Sequence, residues 1–134
     1  MAVTRLLLDT SAYAGFKRGH EGVVSFIQHA EELHLTPVIL GELYSGFRGG
    51  TRELQNREEL DRFLASPRAS LTLIDRETSE RYADILHFLR TQGTPVPTND
   101  MWIAASAMQY GLKVVTFDAH FRSIVQVTSE ILIL

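Results

Sequence analysis

Short apolar runs alternate with longer stretches in which apolar residues return every three or four positions, along the whole chain. The runs at 4–8, 33–35, 71–74 and 113–117 have the length and continuity of strands buried on both faces, as in a parallel sheet. Between them, Val23, Phe26, Ile27 and Ala30 mark a helix at 22–31, and Tyr82, Ile85, Leu86 and Leu89 mark another at 79–92. Thr36 followed by Pro37 is a helix start, and Val38, Ile39, Leu43 and Phe47 carry that helix to Gly49-Gly50. A second helix at 51–65 follows the double glycine, which predicts a helical hairpin. The loop Pro95-Val96-Pro97 then leads into a helix that opens at Thr98-Asn99-Asp100, presents Ile103, Ala104, Ala107 and Met108 inward, and stops at Gly111. Short helical turns at 12–16 and 119–123, with extended pieces at 124–127 and 131–134, complete the pattern. Strand and helix alternating in this way predict an α/β fold with a mainly parallel central sheet flanked by helices, formed by a single domain over 1–134.

Composition narrows the chemistry. With 13 Lys plus Arg against 16 Asp plus Glu, the formal charge of −3 argues against nucleic-acid binding through bulk charge and leaves room only for a local basic rim, for which Lys17, Arg18 and Arg48 are candidates. The absence of cysteine excludes disulfides and thiolate metal sites. The apolar run Leu6-Leu7-Leu8 is stopped by Asp9, too short for a signal or a membrane span, so the expected location is the cytoplasm. Arg52, Arg57, Arg62 and Arg68 look like a phosphate-binding face, but Glu53 and Glu58 each precede an arginine by four residues, the spacing of ion pairs on a solvated helix.

Four acids stand out once the elements are placed. Asp9 ends the first strand and Asp118 the fourth, at the strand ends where open parallel sheets form ligand crevices. Asp100 leads the apolar face of its helix, so its carboxylate is expected to point inward. Taken alone, each aspartate also reads as a helix cap. Glu42 does not: three residues after Ile39 and four after Val38, it is expected on the core side of its helix, where it needs a donor or a cation. A salt bridge to Arg5 or another arginine is one way to meet that need, and a shared acidic pocket is the other.

With those residues in hand, the chain resembles the PIN-domain nucleases, most closely the VapC-type ribonuclease toxins of toxin-antitoxin systems. The likeness rests on LLLDTSAY at 6–13, VILGELYSG at 38–46, NDMWIAASA at 99–107 and VVTFDAHF at 114–121, in this order and at this spacing. It implies a pocket of Asp9, Glu42, Asp100 and Asp118 that holds Mg²⁺ or Mn²⁺, with Thr10, Ser11, Asn99 and Thr116 in support. Asn99 would donate to a carboxylate or a phosphate, while Trp102 is expected in helix packing. Where many members have a further acid, this chain has His120, which reads as a ligand, a proton donor or a local packing group. The implied activity is metal-dependent endoribonuclease cleavage of RNA, tRNA or another structured RNA, leaving a 5′-phosphate and a 3′-hydroxyl. The implied partners are a VapB-like antitoxin and a second copy in a homodimer. Tyr13, Phe16, Tyr44 and Phe47 are candidates for the antitoxin groove, and ordinary core is their competing reading. A phospho-acceptor receiver domain also gathers acids at strand ends, but it needs a lysine after a late strand, and Asp118-Ala119-His120 offers none. The remaining alternative is a catalytically inactive PIN-fold module that acts by binding RNA or protein.

Overall fold

A computed structural model describes residues 4–134, so the first three positions of the expected 1–134 domain lie outside the described residues. In chain order the elements are β1 (Arg5–Leu8), α1 (Thr10–Lys17), α2 (Glu21–His29), β2 (Glu32–Leu35), α3 (Pro37–Arg48), α4 (Glu53–Leu64), β3 (Ala69–Leu71), α5 (Arg76–Gln92), α6 (Thr98–Tyr110), β4 (Lys113–Thr116), a 3₁₀ turn (Ala119–Ser123) and β5 (Ser129–Ile131). The strands form one sheet in the order β3-β2-β1-β4-β5, and every pairing is parallel. Leu6, Leu7 and Leu8 of β1 are fully buried, each contributing roughly 1.5–3 kcal/mol of apolar burial. That is why the central strand reads as an unbroken apolar run. The chain leaves β1 toward β2 on one side and returns to β4 on the other, so the order reverses between β1 and β4 and opens a crevice at their carboxyl ends.

The helices carry the chain back across the sheet and cover it. Thr36 accepts the Ile39 N–H and Pro37 occupies the first turn of α3, as the Thr-Pro pair predicts. Gly93 and Gly111 end α5 and α6 in the left-handed conformation, at φ of 66° in both cases, which the missing Cβ permits. Gly15 serves a different end: a Cβ there would sit 2.6 Å from the Phe117 ring, so the glycine lets α1 close onto the end of β4.

Several predicted elements fall differently. The third strand is Ala69–Leu71 rather than 71–74, because pairing with Leu33, His34 and Leu35 sets its register, while the more apolar Leu73 stays 63% exposed. The helix expected from 79 begins at Arg76, since Asp75 caps it and Thr78 closes the capping box. The extended piece expected at 124–127 is absent, Ile124 being the buried cap of the 3₁₀ turn and Val125 exposed, and the piece expected at 131–134 lies earlier, as the strand Ser129–Ile131 that pairs with β4.

Candidate active site

Every aspartate singled out in the sequence lies at the carboxyl edge of β1 and β4. Asp9, 5% exposed, caps α1 and accepts from the Ala12 N–H and the Ser11 hydroxyl, both at 2.8 Å, and from the Thr116 hydroxyl. Thr116 Oγ1 in turn accepts the Asp118 N–H at 2.9 Å, and Ser11 Oγ accepts the Phe117 N–H at 3.0 Å. These bonds stitch the end of β1 to the end of β4 and fix the Asp9 carboxylate. Asp118 caps the 3₁₀ turn by accepting the His120 N–H at 2.8 Å. Each aspartate is therefore a cap or sits in a first helical turn, and the three lie near enough for the Asp118 and Asp9 charges to act on Asp100.

Asp100, Asp118 and His120 come together: one ligand-type atom from each lies within 4.8 Å of the others. The His120 Nδ1 stands 2.9 Å from Asp118 Oδ1 and 3.3 Å from Asp100 Oδ2. Among the described residues no lysine or arginine pairs with Asp9, Glu42, Asp100 or Asp118. The electrostatic result is a strained acid cluster. Burial, with the Asp118 charge second, pushes the Asp100 carboxyl up to about 6, against the opposing pull of His120. Burial also raises Asp9, although the Thr116, Ala12 and Ser11 donors oppose it.

Glu42 is not in the core. It is half-buried at the lip of the crevice, where it accepts the Thr10 hydroxyl at 2.6 Å and the Asn99 side-chain amide at 3.3 Å. The buried stripe of α3 is Ile39, Leu40 and Leu43, and Val38, the neighbour one turn earlier, is itself half-exposed. The helical spacing therefore put Glu42 one step too far inward. Arg5 does not reach it: Arg5 pairs with Glu32 at 3.1 Å at the opposite end of the sheet. A groove of about 680 Å³ runs from Glu42 and Asn99 along Gly41 and Ser45. Trp102 stacks on Tyr82 with ring centroids 4.2 Å apart, the packing role expected of it.

The expected basic rim is largely spoken for. Lys17 pairs with Glu59 at 3.3 Å, Arg48 with Glu53 at 3.5 Å, and Arg18 lies over the Phe117 ring. Glu53 approaches Arg57 at 4.0 Å as the spacing suggested, whereas no Glu58–Arg62 pair forms among the described residues. Arg68 instead donates to the Ile27 and Ala30 carbonyls at the end of α2. Of the groove candidates, Tyr13 and Phe47 line a small cavity of about 210 Å³ between α1, α3 and α4. Phe16 packs on Phe63, and the Arg57 guanidinium covers the Tyr44 ring. The Tyr13 hydroxyl is buried without a hydrogen-bond partner, and burial pushes its pKa up to about 12.

This geometry has a counterpart among known proteins. The sequence profile of the PIN domain matches residues 6–126. The chain belongs to the PIN domain family. Among PIN-domain relatives, it is 30% identical over 123 residues to Ribonuclease VapC4 of Mycobacterium tuberculosis, covering 92% of this chain and 93% of that protein. In fold it is similar to VapBC2 from Rickettsia felis, solved bound to a DNA fragment from its promoter, with a TM-score of 0.85 at 19% identity over 97% of this chain and 100% of the other. It is also similar to VapBC-5 of Mycobacterium tuberculosis, from the VapBC family of toxin-antitoxin systems, with a TM-score of 0.74 at 24% identity over 98% and 99% of the two chains. The parallel five-stranded sheet with its flanking helices is thus a PIN fold.

Proposed function

We propose that this PIN domain is a metal-dependent endoribonuclease toxin that a VapB-like antitoxin neutralises. The observation that carries the reading is the meeting of Asp100, Asp118 and His120 within 4.8 Å, beside a buried Asp9, with no lysine or arginine among the described residues to offset the charge. Like charges so placed need a cation, and a donor set of carboxylate oxygens and one imidazole without thiols fits Mg²⁺ or Mn²⁺. When bound, such an ion makes water a stronger nucleophile near neutral pH and offsets the charge that builds on the phosphoryl oxygens. The resemblance to Ribonuclease VapC4 supports RNA as the substrate, and the likeness to VapBC structures supports the antitoxin.

The chain's own residues would divide the work. Asp9, Asp100 and Asp118 would hold the cation, and Thr116 and Ser11 keep the Asp9 carboxylate oriented by their hydrogen bonds. Glu42, fixed by Thr10 and Asn99, lines the groove, and from there it would take or direct a proton from water. The cavity lined by Tyr13 and Phe47 is where the antitoxin would enter, with Phe16 and Tyr44 flanking it. The reading includes a homodimer, which light scattering checks, and a cytoplasmic location; no helix among the described residues is long and apolar enough to cross a membrane. All four acids are present, which weighs against an inactive binding module.

Incubating the antitoxin-free protein with a small-RNA pool in Mg²⁺, Mn²⁺ or EDTA, beside Asp9→Asn and Asp100→Asn, tests the proposal. Metal-dependent fragments with 5′-phosphate ends, lost in both variants, are the expected result. Folded protein that cuts nothing with either metal would transfer the case to the binding module.

A further inference from the structure

Resting on the nuclease reading, we infer that His120 is a nitrogen ligand of the same cation and makes the site select Mn²⁺ over Mg²⁺. The ring is not a core group: its side chain is 51% exposed, and its only polar contacts among the described residues are to Asp118 and Asp100. Its backbone, by contrast, is firmly held. The 3₁₀ turn is anchored by Phe121 and Ile124, each 1% exposed, and Asp118 clamps the His120 N–H at 2.8 Å. An exposed imidazole on a fixed turn, aimed between two carboxylates that no lysine or arginine neutralises, is placed as a ligand would be.

The selectivity follows from the donor atom. Mg²⁺ prefers an octahedron of oxygens and gives up its waters reluctantly, so an imidazole adds little to its affinity. Mn²⁺ accepts nitrogen more readily, and a neutral imidazole with its proton on Nε2 presents Nδ1 toward the two carboxylates. A carboxylate at position 120 would serve both ions alike. The histidine therefore separates them.

Metal-stripped, antitoxin-free protein is titrated with Mn²⁺, free ion being read by electron paramagnetic resonance, and then with Mg²⁺ in competition. The wild type is expected to bind Mn²⁺ at least about tenfold more tightly than Mg²⁺ and to show nitrogen modulation of the bound-Mn²⁺ echo signal. In His120→Ala the modulation disappears and Mn²⁺ affinity falls about tenfold while Mg²⁺ affinity stays within about twofold; in His120→Asp the Mn²⁺ preference collapses with Mg²⁺ binding retained. Equal melting temperatures of the metal-free proteins establish that the variants fold. A missing nitrogen signal in the wild type, or unchanged Mn²⁺ affinity in His120→Ala, overturns the assignment and leaves the nuclease reading intact. Asp100→Asn separates the two readings: it should lose both ions, and wild-type Mn²⁺ binding by that variant would sink the metal-site reading itself, and this inference with it.

Discussion

At the amino ends of the strands, Arg5 meets Glu32 at 3.1 Å and Lys113 meets Glu130 at 3.0 Å, while at the carboxyl ends Asp9, Glu42, Asp100 and Asp118 meet no lysine or arginine among the described residues. Both ends belong to one sheet and both offer space: a cavity of about 480 Å³ bordered by Arg5 and Lys113 at the first, and the groove beside Glu42 and Asn99 at the second. Their charges differ in kind. Each acid of the amino-end pairs has a base at hand, and the His34 and Arg5 donors hold Glu32 below its ordinary value. At the carboxyl end burial and a neighbouring carboxylate raise Asp100, and burial raises Asp9. Cavity and charge alone do not make a site; acidic charge that no lysine or arginine among the described residues offsets, with Asp9 held by hydrogen bonds, separates these two regions.

The largest effects should come from neutralising the unpaired end. Asp9→Asn, Asp100→Asn and Glu42→Gln are each expected to lower the RNA-cleavage rate by at least about 10²–10³-fold, whereas Lys113→Ala should keep it within about twofold. Initial rates on one labelled RNA at saturating metal measure both. An equal loss at the two ends would erase the functional distinction between them.

Thr116 tests whether rigidity matters as well as charge. Its hydroxyl donates to Asp9 and accepts the Asp118 N–H, and the side chain is fully buried. Thr116→Val keeps the shape but leaves the buried Asp9 carboxylate and the part-buried Asp118 N–H each short of a partner, an expected loss of about 1–3 kcal/mol in urea unfolding. Cleavage should fall too, through the rate rather than through RNA binding, because Asp9 loses the bond that aims it. A variant that melts lower yet cuts at the wild-type rate would reduce Thr116 to a structural residue.

Asp100 offers the converse result, a gain. Its carboxyl has an ordinary value of 3.8 and is pushed up to about 6 in the fold. Between those values the folded chain retains a proton that the unfolded chain has lost, so this group's contribution to stability falls as pH rises through the window and stays lost above it. Asp100→Asn cannot ionise. In EDTA it should match the wild type near pH 4 and exceed it at pH 7 by about 1 kcal/mol, a figure discounted for the solvent that reaches the site. Differential scanning calorimetry across that range reads the gap, and a gap of the opposite sign would mean that the cluster is not strained. The variant that loses activity should thus gain stability, as expected where function requires unpaired charge.

Much of this contrast was legible in the residue order. The apolar runs located β1, β2 and β4 because those strands are buried on both faces and their neighbours impose nothing against the pattern. The edge strand β3 was misplaced because its register comes from pairing with β2, and hydrophobicity there pointed to Leu73, which the fold leaves exposed. Asp9, Asp100 and Asp118 could be assigned to one edge from strand ends and helix starts. The depth of Glu42 could not, since the spacing that marks a helix face does not say where the buried stripe ends. Nor did the spacing reveal that Thr10 and Asn99 satisfy it, or that Lys17 and Arg48 are already paired, because partners from distant elements leave no periodicity.

The smallest effect is expected at the paired end, and it sets the floor of the comparison. The Lys113 and Glu130 side chains are 36% and 40% exposed, so water screens their attraction and two flexible chains must be ordered to form the pair. A double-mutant cycle with Lys113→Ala and Glu130→Ala should give a coupling below about 1 kcal/mol that shrinks as salt is raised from 0.05 to 0.5 M, on the order of the screening expected for an exposed pair. A coupling above that bound and insensitive to salt would mean that the amino end is drier than its exposure indicates. The charges there would then be as consequential for stability as the unpaired acids, and the difference between the two ends would lie in partnership alone rather than in partnership and solvent together.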